Sequence, residues 1–112
     1  MKASKQPVKG NRRYELMPQA EVYDRIPLVW VPHVMYVNKP NFRSDVCNTD
    51  EHGFRWTHNN GEILDFQKFQ ESYGPKALLC GASTVFGVGA TSDASTMSSV
   101  LNRDSDMTWF NF

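Results

Sequence analysis

Apolar positions concentrate first in residues 26–37, Ile-Pro-Leu-Val-Trp-Val-Pro-His-Val-Met-Tyr-Val. The β-branched and aromatic content favours extended chain, yet Pro27 and Pro32 remove ladder donors and exclude a regular central strand. The pattern therefore predicts an edge strand or an extended segment wrapping a core. Residues 1–20 are polar and basic without a sustained period and read as an arm, followed by "AEVYDR" (20–25) as a short helix. Between residues 38 and 63, turn residues mix with isolated aromatics, which reads as loop and hairpin, and Asn59-Asn60-Gly61 is the tightest turn signal. Leu64, Phe66 and Phe69 then fit a short helical turn or an irregular approach to the next strand.

The second concentration of apolar residues has a different context. "KALLCG" predicts a short buried strand over 76–80, closed by Gly81. Past a glycine-rich turn, "SDASTMSSVLN" opens with capping residues and carries Met97, Val100 and Leu101 at helical spacing, so a helix is expected from about Ser95 to Asn102. The closing "MTWFNF" has the composition of a second strand, and a right-handed crossover would lay it parallel to the first. Two parallel strands cannot cover their own faces, so the expected fold is α/β with further elements supplied from beyond these residues. The chain thus divides into an N-terminal arm (1–25), a loop-rich extension (26–75) and a strand–helix–strand unit (76–112).

Composition narrows the function. At 112 residues and 40% apolar the chain is at most one globular unit. Twelve basic residues balance twelve acidic ones, so neither nucleic acid nor an anionic membrane surface is an expected partner. Cys47 and Cys80 lack metal-type spacing and read as reduced thiols, Cys80 as a small buried residue ending the apolar run. No metal or other cofactor is expected. No run is long enough to span a bilayer, and the basic start has no apolar stretch behind it, which points to the cytoplasm.

Candidate chemistry sits at the exit of the 76–80 strand. In open parallel sheets, groups at the carboxyl ends of strands face the ligand crevice, and Ser83 lies just past such an end. A nucleophilic serine needs small neighbours, here Gly81, Ala82 and Thr84, and backbone N–H groups for the developing oxyanion. The bland alternative is a serine that merely turns a strand into a helix. Val85 stands where G-x-S-x-G requires glycine, which disfavours an α/β-hydrolase elbow. The spacing of Gly81, Gly87 and Gly89 fits neither G-x-G-x-x-G nor a P-loop.

The stretch does resemble the first block of the SGNH (GDSL-type) hydrolases, through Gly81, Ser83, Thr84, Gly87, Asp93 and Thr96. Upstream, Asn48, Gly53, Phe54 and Arg55 resemble the Asn-x-x-Gly-Phe-Arg element that precedes this block in one branch of the family, with four residues here between Asn48 and Gly53. The resemblance covers residues 45–112 and implies a three-layer α/β/α sandwich on a parallel, flavodoxin-like sheet, of which this chain holds the N-terminal part. It implies an ester hydrolase or acyltransferase, with Ser83 as nucleophile, its N–H as oxyanion donor, and Gly81, Ala82 and Thr84 against the substrate. Ala82 replaces the signature aspartate of that family.

The family's oxyanion glycine, asparagine block and closing Asp-x-x-His block have no counterpart here. His33, His52 and His58 all precede Ser83, so none inherits the general-base role, and His52 and His58 read as surface residues. The Asp and His are expected from a C-terminal segment or a second polypeptide, in a heteromer acting on a small ester. The alternative is a non-catalytic flavodoxin-like binding module or an inactive structural subunit. Among single residues, Arg55 is expected to pair with a carboxylate and pin its loop, Asp93 and Thr96 to start a helix, and Trp30, Val34 and Tyr36 to serve hydrophobic packing rather than as a sugar platform.

Overall fold

The computed structural model describes residues 12–112. The first eleven residues of the expected arm lie outside that range. The rest of the arm is helical: α1 (Arg12–Leu16) and α2 (Ala20–Arg25) are joined through Met17 and Pro18. α2 buries Ala20 and Tyr23, and the Tyr23 hydroxyl donates to the Ala90 carbonyl at 2.7 Å, anchoring the arm to the glycine-rich turn.

Residues 26–38 form an antiparallel hairpin of β1 (Leu28–Val31) and β2 (Met35–Asn38), with Trp30 opposite Tyr36 and Val31 opposite Met35. Pro27 falls before the first ladder position and Pro32 in the connection, where a missing N–H breaks no pair. Trp30, Val34 and Tyr36, expected to serve hydrophobic packing, are not buried: they are 59%, 60% and 61% exposed. Trp30 meets Tyr36 edge-on at 5.2 Å on the hairpin itself.

A second hairpin joins β3 (Thr57–Asn59) to β4 (Glu62–Leu64). Asn60 (φ 49°) and Gly61 (φ 87°) both take the positive φ that a two-residue type I′ turn requires, as the Asn-Gly pair predicts. α3 (Phe66–Glu71) follows at once, capped by the Asp65 carboxylate, which accepts from the Lys68 N–H at 2.8 Å.

The parallel pair is β5 (Lys76–Leu79) and β6 (Thr108–Asn111), in the register Lys76 to Thr108 and Leu79 to Asn111. Between them run a helical turn, α4 (Ser83–Phe86), a 3₁₀ turn (Asp93–Ser95) and α5 (Met97–Asp104). Among the described residues the architecture is α/β with three two-stranded sheets, one of them parallel. β5 is not the buried strand the apolar run predicts. Its side chains alternate between exposed and half-buried, Leu78 is 47% exposed, and the Cys80 thiol is exposed. The reason lies in the packing: α3, α5 and β3 all lie against β6, leaving β5 paired chiefly with β6.

α5 also turns a different face inward from the one its apolar spacing suggests. Ser98, Ser99 and Asn102 are buried, while Met97 is 44% exposed. Small hydroxylated side chains let the helix approach β3 closely and supply bonds across the contact, Ser98 with the Thr57 hydroxyl (3.0 Å) and Ser99 Oγ accepting from the His58 N–H (3.0 Å). Asn102 ties α5 to both strands by donating to the carbonyls of His58 and Trp109 and accepting from the Trp109 N–H. The apolar core is Leu64, Phe69 and Phe110, with Phe54 and Phe66 against it. Phe69 stacks on Phe110 at 5.2 Å and Phe54 on Phe112 at 4.7 Å. Among the described residues no helix is long and apolar enough to cross a membrane.

Candidate active site

Ser83 is the first residue of α4, four positions beyond the end of β5, and its side chain is exposed. Strand becomes helix abruptly because Ala82 is extended (φ −85°, ψ −151°) and Gly81 has no side chain. A Cβ on Gly81 would lie 2.5 Å from Val85 Cγ2. α4 ends after one turn at Gly87, whose φ of 90° is the left-handed conformation of a C-cap and whose N–H donates to the Ser83 carbonyl at 3.0 Å.

This single turn is too short to persist on propensity alone, and its far end is held from below. Arg55 Nη1 donates to the carbonyl oxygens of Phe86 (3.1 Å) and Gly87 (2.9 Å). Asn111 Nδ2 donates to those of Val85 (2.8 Å) and Phe86 (3.2 Å). Arg55 is completely buried; its Nε donates to Asp93 Oδ1 at 2.7 Å and its Nη2 to the Val46 carbonyl at 2.9 Å. Asp93 also accepts from Asn48, through the backbone N–H (3.2 Å) and Nδ2 (2.6 Å). Thr96 Oγ1 closes the set by donating to the Asp93 carbonyl at 2.9 Å.

The two sequence elements around Asn48–Arg55 and Asp93–Thr96 are therefore one buried polar network beneath the serine turn. Arg55 pins its loop to a carboxylate, as its residue type suggested. Asp93 stands at a helix start by position, but its carboxylate caps nothing and instead neutralises Arg55. Every buried side-chain nitrogen and oxygen among the described residues has a partner, the condition under which a buried ion pair holds geometry without a large penalty. Cys47 lies in the same layer, and burial pushes its thiol up to about 11, only partly opposed by the nearby Arg55 cation.

A cleft of about 860 Å³ opens between the serine turn and the β1–β2 hairpin. Gly81, Ala82 and Ser83 line it, whereas Thr84, the other residue expected against substrate, is exposed but outside the lining. Leu28, Tyr36 and Val37 form the hairpin wall, and Phe54, Phe86 and Phe112 contribute aromatic surface. His52 also lines the cleft, half-exposed, with its ring edge-on to Phe66 at 5.8 Å. Among the described residues no imidazole or carboxylate is hydrogen-bonded to the Ser83 hydroxyl.

Three contributors escaped sequence reasoning. The hairpin wall read as an edge strand or a segment wrapping a core, His52 as an unrelated surface residue, and Asn111 as one more strand position. Only for Asn111, a lone carboxamide in the aromatic run "WFNF", was there a local signal. No group of three or more His, Cys, Asp or Glu among the described residues is placed to hold a metal ion. No family model and no curated protein matches the chain.

Proposed function

We propose that this chain carries the nucleophile of an SGNH-type ester hydrolase or acyltransferase. The observation that carries the reading is a solvent-accessible, unpartnered serine hydroxyl at the exit of a parallel strand, in the wall of a cleft, on a turn held rigid by a buried ion pair. The first-turn N–H groups of α4 have no partner within the helix, which suits the Ser83 N–H to receive an oxyanion. Ser83 Oγ attacks the acyl carbonyl and its proton passes to a base. The tetrahedral oxyanion then collapses, the C–O bond to the alcohol breaks, and the alcohol leaves with that proton. Water or a second alcohol resolves the acyl-enzyme.

The base and its carboxylate come from a segment outside the described residues or from a second polypeptide. The exposed β5, with Leu78 47% accessible, supports this, because parallel sheets are ordinarily covered on both faces. We take the complete fold as the three-layer α/β/α sandwich, with residues 76–112 as its first strand–helix–strand unit. The two free thiols and the neutral charge balance go with a reducing, cytoplasmic setting.

A fluorophosphonate probe applied to the native assembly tests the proposal. Covalent labelling mapped to Ser83 and lost in Ser83→Ala is the expected result. An assembly that is folded and complete but unlabelled would overturn it in favour of a non-catalytic binding module, the reading favoured by the absence of a base bonded to Ser83 among the described residues.

A further inference from the structure

The walls of the cleft restrict what can occupy it. Ile26, Leu28, Val37, Phe54, Phe86 and Phe112 present carbon to the space. The charged groups that reach it are already engaged: Arg55 is completely buried against Asp93, and Asp24 accepts from Arg13 Nη1 (2.8 Å) and the Tyr14 hydroxyl (2.7 Å). Arg55 is the one Lys or Arg side chain in the lining and is spent on Asp93, so no permanent cation is left to receive a carboxylate or phosphate, and taking an anion from water into apolar surroundings without one is costly. The volume of about 860 Å³ lies within the ~300–1,000 Å³ typical of small-molecule sites. Leu28 and Tyr36, each 61% exposed, give the hairpin wall apolar area for an occupant to cover.

We infer that the cleft between the β1–β2 hairpin and the Ser83 turn binds the uncharged, apolar acyl group of the ester, an alkyl chain of medium length. This rests on Ser83 being the nucleophile, since the hydroxyl in the wall is what makes the cleft an acyl site. The polar side chains of the lining, Tyr36, Asn38 and His52 among them, are few beside its apolar surface, so a glycosyl or acidic acyl group would bury more polar surface than they can pair. Each methylene that enters loses contact with water, worth ~0.8 kcal/mol or about fourfold in affinity, until the chain outgrows the cleft.

Two measurements on the native assembly test this together. The first is the rate of Ser83 labelling by alkyl fluorophosphonates from methyl to octyl, expected to rise at least tenfold by hexyl. The second is calorimetric binding of octanamide, a neutral and unreactive chain, expected to be at least tenfold tighter than that of octanoate and to protect Ser83 from labelling. Leu28→Asp, at a largely exposed wall position, should weaken octanamide at least tenfold. Met35→Asp, on the same hairpin but outside the lining, should leave it unchanged. Labelling of Ser83 that is independent of chain length, or failure of octanamide to bind, overturns the acyl-cleft inference and leaves the nucleophile standing. Absence of labelling by every phosphonate overturns both.

Discussion

Replacing Arg55 by methionine removes the cation from beneath the serine turn while keeping much of the side chain's bulk. Four hydrogen bonds disappear: one to the Asp93 carboxylate, two to the carbonyls of Phe86 and Gly87, and one to the Val46 carbonyl. Asp93, 4% exposed, keeps only the two donors of Asn48. Breaking a buried ion pair from one side costs about 3–5 kcal/mol. Against a typical domain stability of about 5–15 kcal/mol this is a large fraction. At about 4–8 °C per kcal/mol for a domain of this size, the melting temperature should fall by more than about 12 °C. Circular dichroism melts and urea titrations of wild type, Arg55→Met, Asp93→Leu and the double variant provide the assay. The double variant should lose less than the sum of the two singles, because it leaves no unpaired charge. A loss below about 1 kcal/mol in Arg55→Met, or strict additivity in the cycle, would refute the claim that the pair organises the layer under Ser83.

Gly53→Ala should destabilise by about 2 kcal/mol or more, read by the same melts, since φ is +87° there and the new Cβ would lie 2.4 Å from the Asn38 carbonyl oxygen. Under native conditions Ellman's reagent should titrate one thiol, Cys80, and reach Cys47 only on unfolding, because Cys47 is buried and its thiol is held protonated at neutral pH. Stability should decline from about pH 9 towards pH 11: the unfolded chain releases the Cys47 proton near 9.0 and the folded one only near 11, so rising pH favours unfolding across that window. Cys47→Ala should flatten that part of the urea-midpoint profile. Asn102→Ala should cost about 2–3 kcal/mol, as it strands the carbonyls of His58 and Trp109 and the Trp109 N–H at the junction of α5 with two strands.

Short-range chemistry made several elements readable in the sequence. Asn60-Gly61 specified a hairpin turn because only such residues take two positive φ angles in succession; "KALL" and "TWFN" carried strand composition, and their parallel pairing followed from the helix between them. The position of Ser83 after a strand, among small residues, was likewise a local fact. What only the tertiary structure decided is who meets whom. Arg55 reaches Asp93 across 38 positions, and Asn111 reaches back 26 positions to Val85. α5 buries serines and an asparagine because β3 and β6 present hydroxyls and backbone groups to it. The apolar hairpin became a cleft wall, where composition alone had suggested an edge strand or a segment wrapping a core. Turn and strand preferences act within a few residues and leave their mark in the local sequence. A partner across the fold is chosen by the satisfaction of buried polar groups and the covering of apolar faces, and both depend on the whole arrangement of the chain.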